Sequence, residues 1–132
     1  MSSQQESSWV RAIFLLGVSL LFTHELDAMT HTEWRVLPLT SWLSPELGRL
    51  VFVAMHVPAF AFVLGWLTSQ VAGRASRAQF WVAVFLVAHA ALHLAFSGHA
   101  EYTFDGVLSN TLIFGAAACG AACLWCRRSR LF

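Results

Sequence analysis

Four long apolar stretches separated by short polar segments dominate the chain. Each approaches or reaches the ~20 residues that an α-helix needs to cross a hydrocarbon core about 30 Å thick. None shows the period-two alternation that is typical of membrane β-strands. The pattern therefore predicts an all-α fold, an integral membrane bundle of four transmembrane helices at approximately residues 9–30, 47–69, 78–97 and 107–126.

The first stretch is also compatible with a secretory signal peptide, because Arg11 precedes a short apolar run. Its candidate cleavage site is poor, however, since Leu26 stands where a small residue is needed ahead of Asp27 and Ala28. We therefore interpret this segment as a membrane helix whose far end is polar.

Composition agrees with a membrane location. The 132 residues are 58% hydrophobic and 11% charged, whereas soluble domains are about 25% charged. The four stretches leave no room for a separate soluble domain, so we expect residues 1–132 to form a single transmembrane domain. A formal net charge of +1 argues against a nucleic-acid partner, which requires a concentrated basic face.

Arginine placement predicts the orientation. The second loop and the C-terminal tail carry arginine at Arg74, Arg77, Arg127, Arg128 and Arg130. The third loop instead carries acids and no arginine, at Glu101 and Asp105. Because loops rich in basic residues stay in the cytoplasm, both termini are expected to be cytoplasmic.

Histidines occur at similar depths in three of the helices. With a rise of 1.5 Å per residue, His24 lies about 22 Å up the first helix and His56 about 13 Å below the outer start of the second. His89 and His93 lie about 16 and 22 Å up the third. The sequence thus predicts one layer of imidazoles between the midplane and the outer surface.

Spacing indicates how these groups are presented. His24, Asp27 and His31 share one face of a helix, and His89 and His93 form an i, i+4 pair of the kind that binds metal. Ionisable groups in hydrocarbon are costly and mark functional sites by default. Mixed imidazole and carboxylate ligands favour zinc or iron, and copper is also compatible. The predicted metal ligands are His24, Asp27, His31, His56, His89 and His93.

If this protein is an enzyme, the metal would activate water or dioxygen on a lipid-soluble substrate near the outer face. Glu25, about 100° from His24 around the helix, is the candidate catalytic residue for moving the proton. His31 and Glu33 have an alternative interpretation as solvated residues at the helix end.

Other interpretations remain open at this stage. The imidazoles can form a hydrogen-bonded cluster without metal, hold a haem through two axial histidines, or form a proton path. The protein can also be an accessory subunit of a larger membrane complex. Besides membrane lipids, the candidate partners are a second copy or larger complex, docking on the small residues of the fourth helix, Gly115 to Cys123.

Residues 22–29 read FTHELDAM and are followed by Glu33, Trp34 and Arg35. This HELDAM…EWR signature resembles that of a family of short, uncharacterised bacterial integral membrane proteins. It is also loosely similar to membrane proteins named for an HXXEE motif, although here no adjacent pair of acids follows His24. The resemblance implies a protein of the bacterial inner (cytoplasmic) membrane and implies no particular activity.

Overall fold

The computed structural model describes residues 3–128 and the side chains of residues 8–128. Within this part the chain forms four long α-helices and one short 3₁₀ helix, and it contains no β-strand. The predicted all-α fold class is therefore confirmed. The elements are α1 (Ser3–Thr30), the 3₁₀ helix (Glu33–Arg35), α2 (Pro45–Leu67), α3 (Arg74–Phe96) and α4 (Val107–Arg128).

All four α-helices are long and apolar enough to cross a membrane. Their candidate spans contain 22 or 23 residues, and an 18-residue segment of each has a mean hydropathy between 1.5 and 2.1. Such helices are about 33–35 Å long, which exceeds the ~30 Å of a hydrocarbon core. This supports an integral membrane protein. The cytoplasmic location of both termini stays a prediction.

Local sequence accounts for where two of the helices begin. The Ser44 side chain accepts a hydrogen bond from the Leu47 amide at 3.4 Å, and Pro45 occupies the first position of α2. Both features are typical of helix starts. Gly73 precedes α3 in the left-handed region, with φ of 71°, so that α3 begins at Arg74.

Small residues let α4 pack closely between α1 and α3. A Cβ atom added at Gly120 would lie 2.7 Å from the Ala83 carbonyl oxygen on α3, and one added at Gly17 of α1 would lie 2.8 Å from Cys119 Cβ on α4. Such close approach is possible only for glycine at these crossings. At least part of the small-residue run therefore serves packing within the chain. Association with a partner through α4 stays a prediction.

The second helix lies at the periphery of the bundle. Of the residues of α2, all of which the structure describes, only Gly48 and Phe52 are buried. Both face the first loop and its neighbours, where Trp34 contacts Phe52. Much of the remaining apolar surface of α2 suits contact with lipid, while Val63 and Leu67 pack against the core formed by α1, α3 and α4.

Candidate metal centre

Three buried histidines from α1 and α3 converge near the end of the bundle. His24, His89 and His93 are 0%, 8% and 5% exposed. One ring nitrogen from each lies within 4.8 Å of the others, and the Nε2 atoms of His24 and His93 are 3.1 Å apart. The helices run in the same direction, and each histidine lies within two turns of its helix's C-terminal end, so the rings meet at one level.

Several polar atoms in this cluster lack the partners that burial demands. Neither His24 Nδ1 nor His89 Nε2 has a hydrogen-bond partner in the described part of the chain, and the same holds for Glu33 Oε2. A buried polar atom without a partner costs about 1–3 kcal/mol. Native proteins contain few such atoms, so the presence of three in one cluster requires a physical explanation.

Glu33 reaches the cluster because the chain turns back immediately after α1. Thr32 adopts the left-handed conformation, with φ of 51° and ψ of 41°. This is an unfavourable region for a β-branched residue, and such strain is concentrated at functional sites. The following 3₁₀ helix carries Glu33 inward, where its carboxylate lies 3.6 Å from His24 Nε2 and 3.9 Å from His93 Nε2.

Electrostatics keep the Glu33 carboxylate negative. Burial alone raises its pKa, but the adjacent His24 and the nearby His93 more than offset this effect, so the pKa lies below its ordinary value. Among the described residues no arginine pairs with the Glu33 carboxylate. Arg35, two residues along the chain, pairs instead with the exposed Glu101 at 2.8 Å. A buried anion next to imidazoles is a favourable environment for a cation.

The third loop covers the cluster from the end of the bundle. Tyr102 places its hydroxyl 3.2 Å from His93 Nδ1, which directs Nε2 of that ring towards His24 and Glu33. Burial, and secondarily Glu33, raises the pKa of Tyr102, so its phenol is neutral at ordinary pH. Phe104 is 1% exposed and packs on the rings of His24 and His93, separating them from the outside.

A small cavity adjoins the cluster between α3 and the loops. Its volume is about 50 Å³, and its walls include Glu33, His89, His93 and Tyr102. A water molecule requires about 10–15 Å³ measured in this way, so the space can hold a few molecules of that size. Apolar side chains, including those of Phe96 and Phe104, line it as well.

His56 and Glu25 form a second polar group, between α1 and α2. Glu25 Oε2 lies 2.7 Å from His56 Nε2, while His56 Nδ1 donates to the carbonyl oxygen of Phe52 at 2.7 Å. A carbonyl oxygen only accepts, so Nδ1 carries a proton. The contact with Glu25 then requires a second proton, held on either the ring or the carboxyl group.

Asp27 and His31 belong to a third group, which joins α1 to α4 and the third loop. Ser109 donates to Asp27 Oδ2 at 2.6 Å and lies 3.3 Å from His31 Nε2. His31 Nδ1 is 2.9 Å from the Thr103 hydroxyl. Ser109 is 2% exposed, so these hydrogen bonds satisfy polar groups inside the bundle and hold the third loop over the cluster.

The sequence comparison gives the family. The profile of the family of unknown function DUF6713 matches residues 10–130. The chain belongs to this family. No curated protein and no solved structure matches the chain. The expectation of an uncharacterised family is thus confirmed, whereas the HELDAM…EWR signature and the bacterial origin stay predictions.

The structure brings together three of the six ligands predicted for this DUF6713 chain, namely His24, His89 and His93. It places Asp27, His31 and His56 in other hydrogen bonds, and the wider ligand set stays a prediction. Glu25 faces His56, and its catalytic role likewise stays a prediction.

Sequence reasoning missed the contribution of the loops to this site. Glu33 is 6% exposed, and so the alternative of a solvated residue at the helix end is wrong. Its burial depends on the turn at Thr32, which no composition signal marks. Tyr102 and Phe104 are the other omissions. The sequence signal for these two residues is weak, since it consists only of two aromatic residues in a short polar loop.

We predict that Glu25→Ala destabilises the protein by about 1–2 kcal/mol, because it leaves the partly buried His56 without its partner. Any metal bound at the cluster of His24, His89 and His93 should be retained, since Glu25 faces His56 instead. The check is reversible unfolding in mixed micelles, combined with elemental analysis. Glu101→Ala is the matched control, because it breaks an exposed pair worth at most about 1 kcal/mol. Loss of metal from folded Glu25→Ala protein would contradict this assignment.

Proposed function

We propose that this protein is an integral membrane metalloprotein in which His24, His89 and His93 bind one transition-metal ion, with Glu33 as the fourth ligand. The observation that carries the proposal is the set of buried nitrogen and oxygen atoms without partners in a cluster of mutually adjacent rings. One cation bound to His24 Nε2 and His93 Nε2 would also give His89 Nε2 and Glu33 Oε2 a partner, and it would neutralise the buried carboxylate.

The distances support a single ion. In a tetrahedral site with metal–nitrogen bonds of about 2.0–2.1 Å, ligand atoms lie about 3.3 Å apart. The Nε2 atoms of His24 and His93 are separated by 3.1 Å, and Glu33 oxygens lie 3.6 and 3.9 Å from them. His89, within 4.8 Å of both other histidines, requires a modest side-chain rotation to complete the set.

The donor atoms favour zinc or iron. Three imidazoles and one carboxylate are intermediate to hard ligands, which suit both metals, and copper is also compatible with imidazole. The hydrogen bond between Tyr102 and His93 Nδ1 is of the kind that orients a metal-bound imidazole.

Haem fits this geometry less well. Two axial histidines must approach a haem iron from opposite faces of the macrocycle. The Nε2 atoms of His24 and His93 are instead in direct contact at 3.1 Å, which leaves no space for a macrocycle between them. The neighbouring cavity of about 50 Å³ is also far too small for one.

A metal in this position would supply Lewis-acid or redox chemistry close to a membrane surface. The adjacent cavity suits water or dioxygen. A larger, lipid-soluble substrate would have to approach from the bilayer beside α3, where Leu92 and Phe96 line the cavity. Metal-dependent turnover of such a substrate is therefore the activity that we propose.

The test is elemental analysis of detergent-purified protein after exposure to zinc, iron(II) or copper and removal of excess metal. We expect about one ion per chain in the wild type and less than one-tenth of that in His93→Ala. His99→Ala is the matched control, because it removes an exposed histidine of the third loop that lies outside the proposed ligand set. Wild-type protein without stoichiometric metal, or equal metal in His93→Ala, would contradict the proposal.

A further inference from the structure

A large cavity lies at the opposite end of the bundle, where α1 and α3 begin and α4 ends. Its volume is about 860 Å³, which is within the ~300–1,000 Å³ typical of ligand sites. It is partly open to the surface and is formed by three helices. It is separate from the histidine cluster, which lies near the other ends of α1 and α3.

Three arginines line this cavity. They are Arg11 on α1 and Arg127 and Arg128 on α4, and no aspartate or glutamate of the described chain lines it. None of the three makes an ion pair with a side chain among residues 8–128. Among the side chains that the structure describes, the cavity wall therefore carries an excess of positive charge that an anion would compensate.

Arg127 is held in place by its neighbours. Its guanidinium donates to the Ser76 carbonyl oxygen at 2.9 Å and to the Ser76 hydroxyl at 2.6 Å. It also lies 5.9 Å from the centroid of the Phe80 ring. These contacts fix one side of the guanidinium and leave its charge at the cavity wall.

The deeper walls of the cavity are apolar. Phe14 on α1, Phe80 and Val84 on α3, and Leu124 on α4 line it, and these residues belong to segments long enough to cross a membrane. A ligand that fills the cavity therefore needs an anionic end near the arginines and an apolar part along the helices. Phospholipids have both, and basic pockets between transmembrane helices bind such headgroups.

We propose that this cavity binds one anionic phospholipid, with its phosphate at Arg11, Arg127 and Arg128 and an acyl chain against the apolar wall. The arginine distribution predicts that this end of the bundle faces the cytoplasm, where the leaflet is rich in anionic lipid. The proposal does not depend on the metal centre.

The test is native mass spectrometry of the full chain in detergent, titrated with phosphatidylglycerol and, separately, with phosphatidylcholine. We expect one phosphatidylglycerol to bind at least ten times more tightly than phosphatidylcholine. The double variant Arg127→Gln/Arg128→Gln should reduce phosphatidylglycerol affinity about five-fold for each arginine, the ratio expected for ~1 kcal/mol per basic residue.

Arg74→Gln/Arg77→Gln is the matched control. It removes the same charge from the same end of the bundle, at arginines that do not line the cavity, and should leave phosphatidylglycerol affinity within two-fold of wild type. Arg11→Gln serves as the second variant if the first double variant fails to fold, and it should reduce affinity about five-fold.

Four results would overturn the proposal. Equal affinity for the two lipids would show that the headgroup charge is not recognised. Equal losses in the two double variants would assign the effect to general surface charge, and unchanged affinity in folded Arg11→Gln would show that the phosphate does not lie at Arg11. Displacement of phosphatidylglycerol by millimolar inorganic phosphate would identify a site for soluble phosphate instead of lipid.

Discussion

Zinc should raise the free energy of unfolding of the wild-type protein by about 4 kcal/mol when free zinc is about 1,000 times its Kd. The reason is that folding brings together ligands from α1, α3 and the first loop, whereas the unfolded chain holds them far apart. His24→Ala should abolish this increase, because His24 contacts both His93 and Glu33. The measurement is reversible unfolding in mixed micelles at buffered zinc concentrations.

His56→Ala is the matched control for this experiment. It removes a histidine at similar depth whose partner is Glu25, so it should lower the baseline stability while keeping the zinc-dependent increase. Glu33→Gln should retain only part of the increase, because it removes the charge and keeps the shape. An unchanged wild type in zinc would contradict the metal centre. Loss of the zinc effect in folded His56→Ala protein would instead support the wider ligand set.

Gly120→Leu should destabilise the bundle by about 3 kcal/mol, at the upper end of the range for overpacked interiors. A Cβ atom at this position meets the Ala83 carbonyl oxygen at 2.7 Å and Leu86 Cβ at 2.9 Å. Neither neighbour is the free end of a flexible side chain, so α3 and α4 must separate. Unfolding in mixed micelles would measure the loss.

Gly65→Leu is the matched control for Gly120→Leu. It makes the same change inside α2, where an added Cβ atom meets nothing within 4 Å. It should be neutral or stabilising by up to about 1 kcal/mol, because glycine is a poor helix former. Equal stability of the two variants would show that the α3–α4 crossing does not require glycine.

Hydropathy identified the architecture because crossing a membrane is a local requirement. Each helix needs about 20 apolar residues of its own, whatever its neighbours are, and the structure has four such segments among the described residues. The regular geometry of a helix also made the depth of each histidine in the membrane predictable. A constant rise per residue placed His24, His89 and His93 at one level, and their rings do meet.

The predicted depth of a residue in the membrane did not determine which neighbour its side chain contacts. His56 was predicted in the same layer, but α2 lies at the periphery and presents His56 to Glu25. Asp27 shares a helix face with His24 in the sequence pattern, yet it meets Ser109 of α4. Helix spacing identifies which residues share a face, whereas the neighbour that each face meets depends on how the helices are arranged.

The sequence by itself therefore determined the four spans and the i, i+4 pair of His89 and His93. It also determined that the histidines of separate helices lie in one layer near one end of the bundle. Only the tertiary structure decided that Glu33 turns inward after Thr32 and that Tyr102 and Phe104 cover the rings. The physical reason is that spans depend on the transfer of each segment into lipid. The site depends on helix rotation and loop folding, which are set by packing between distant residues.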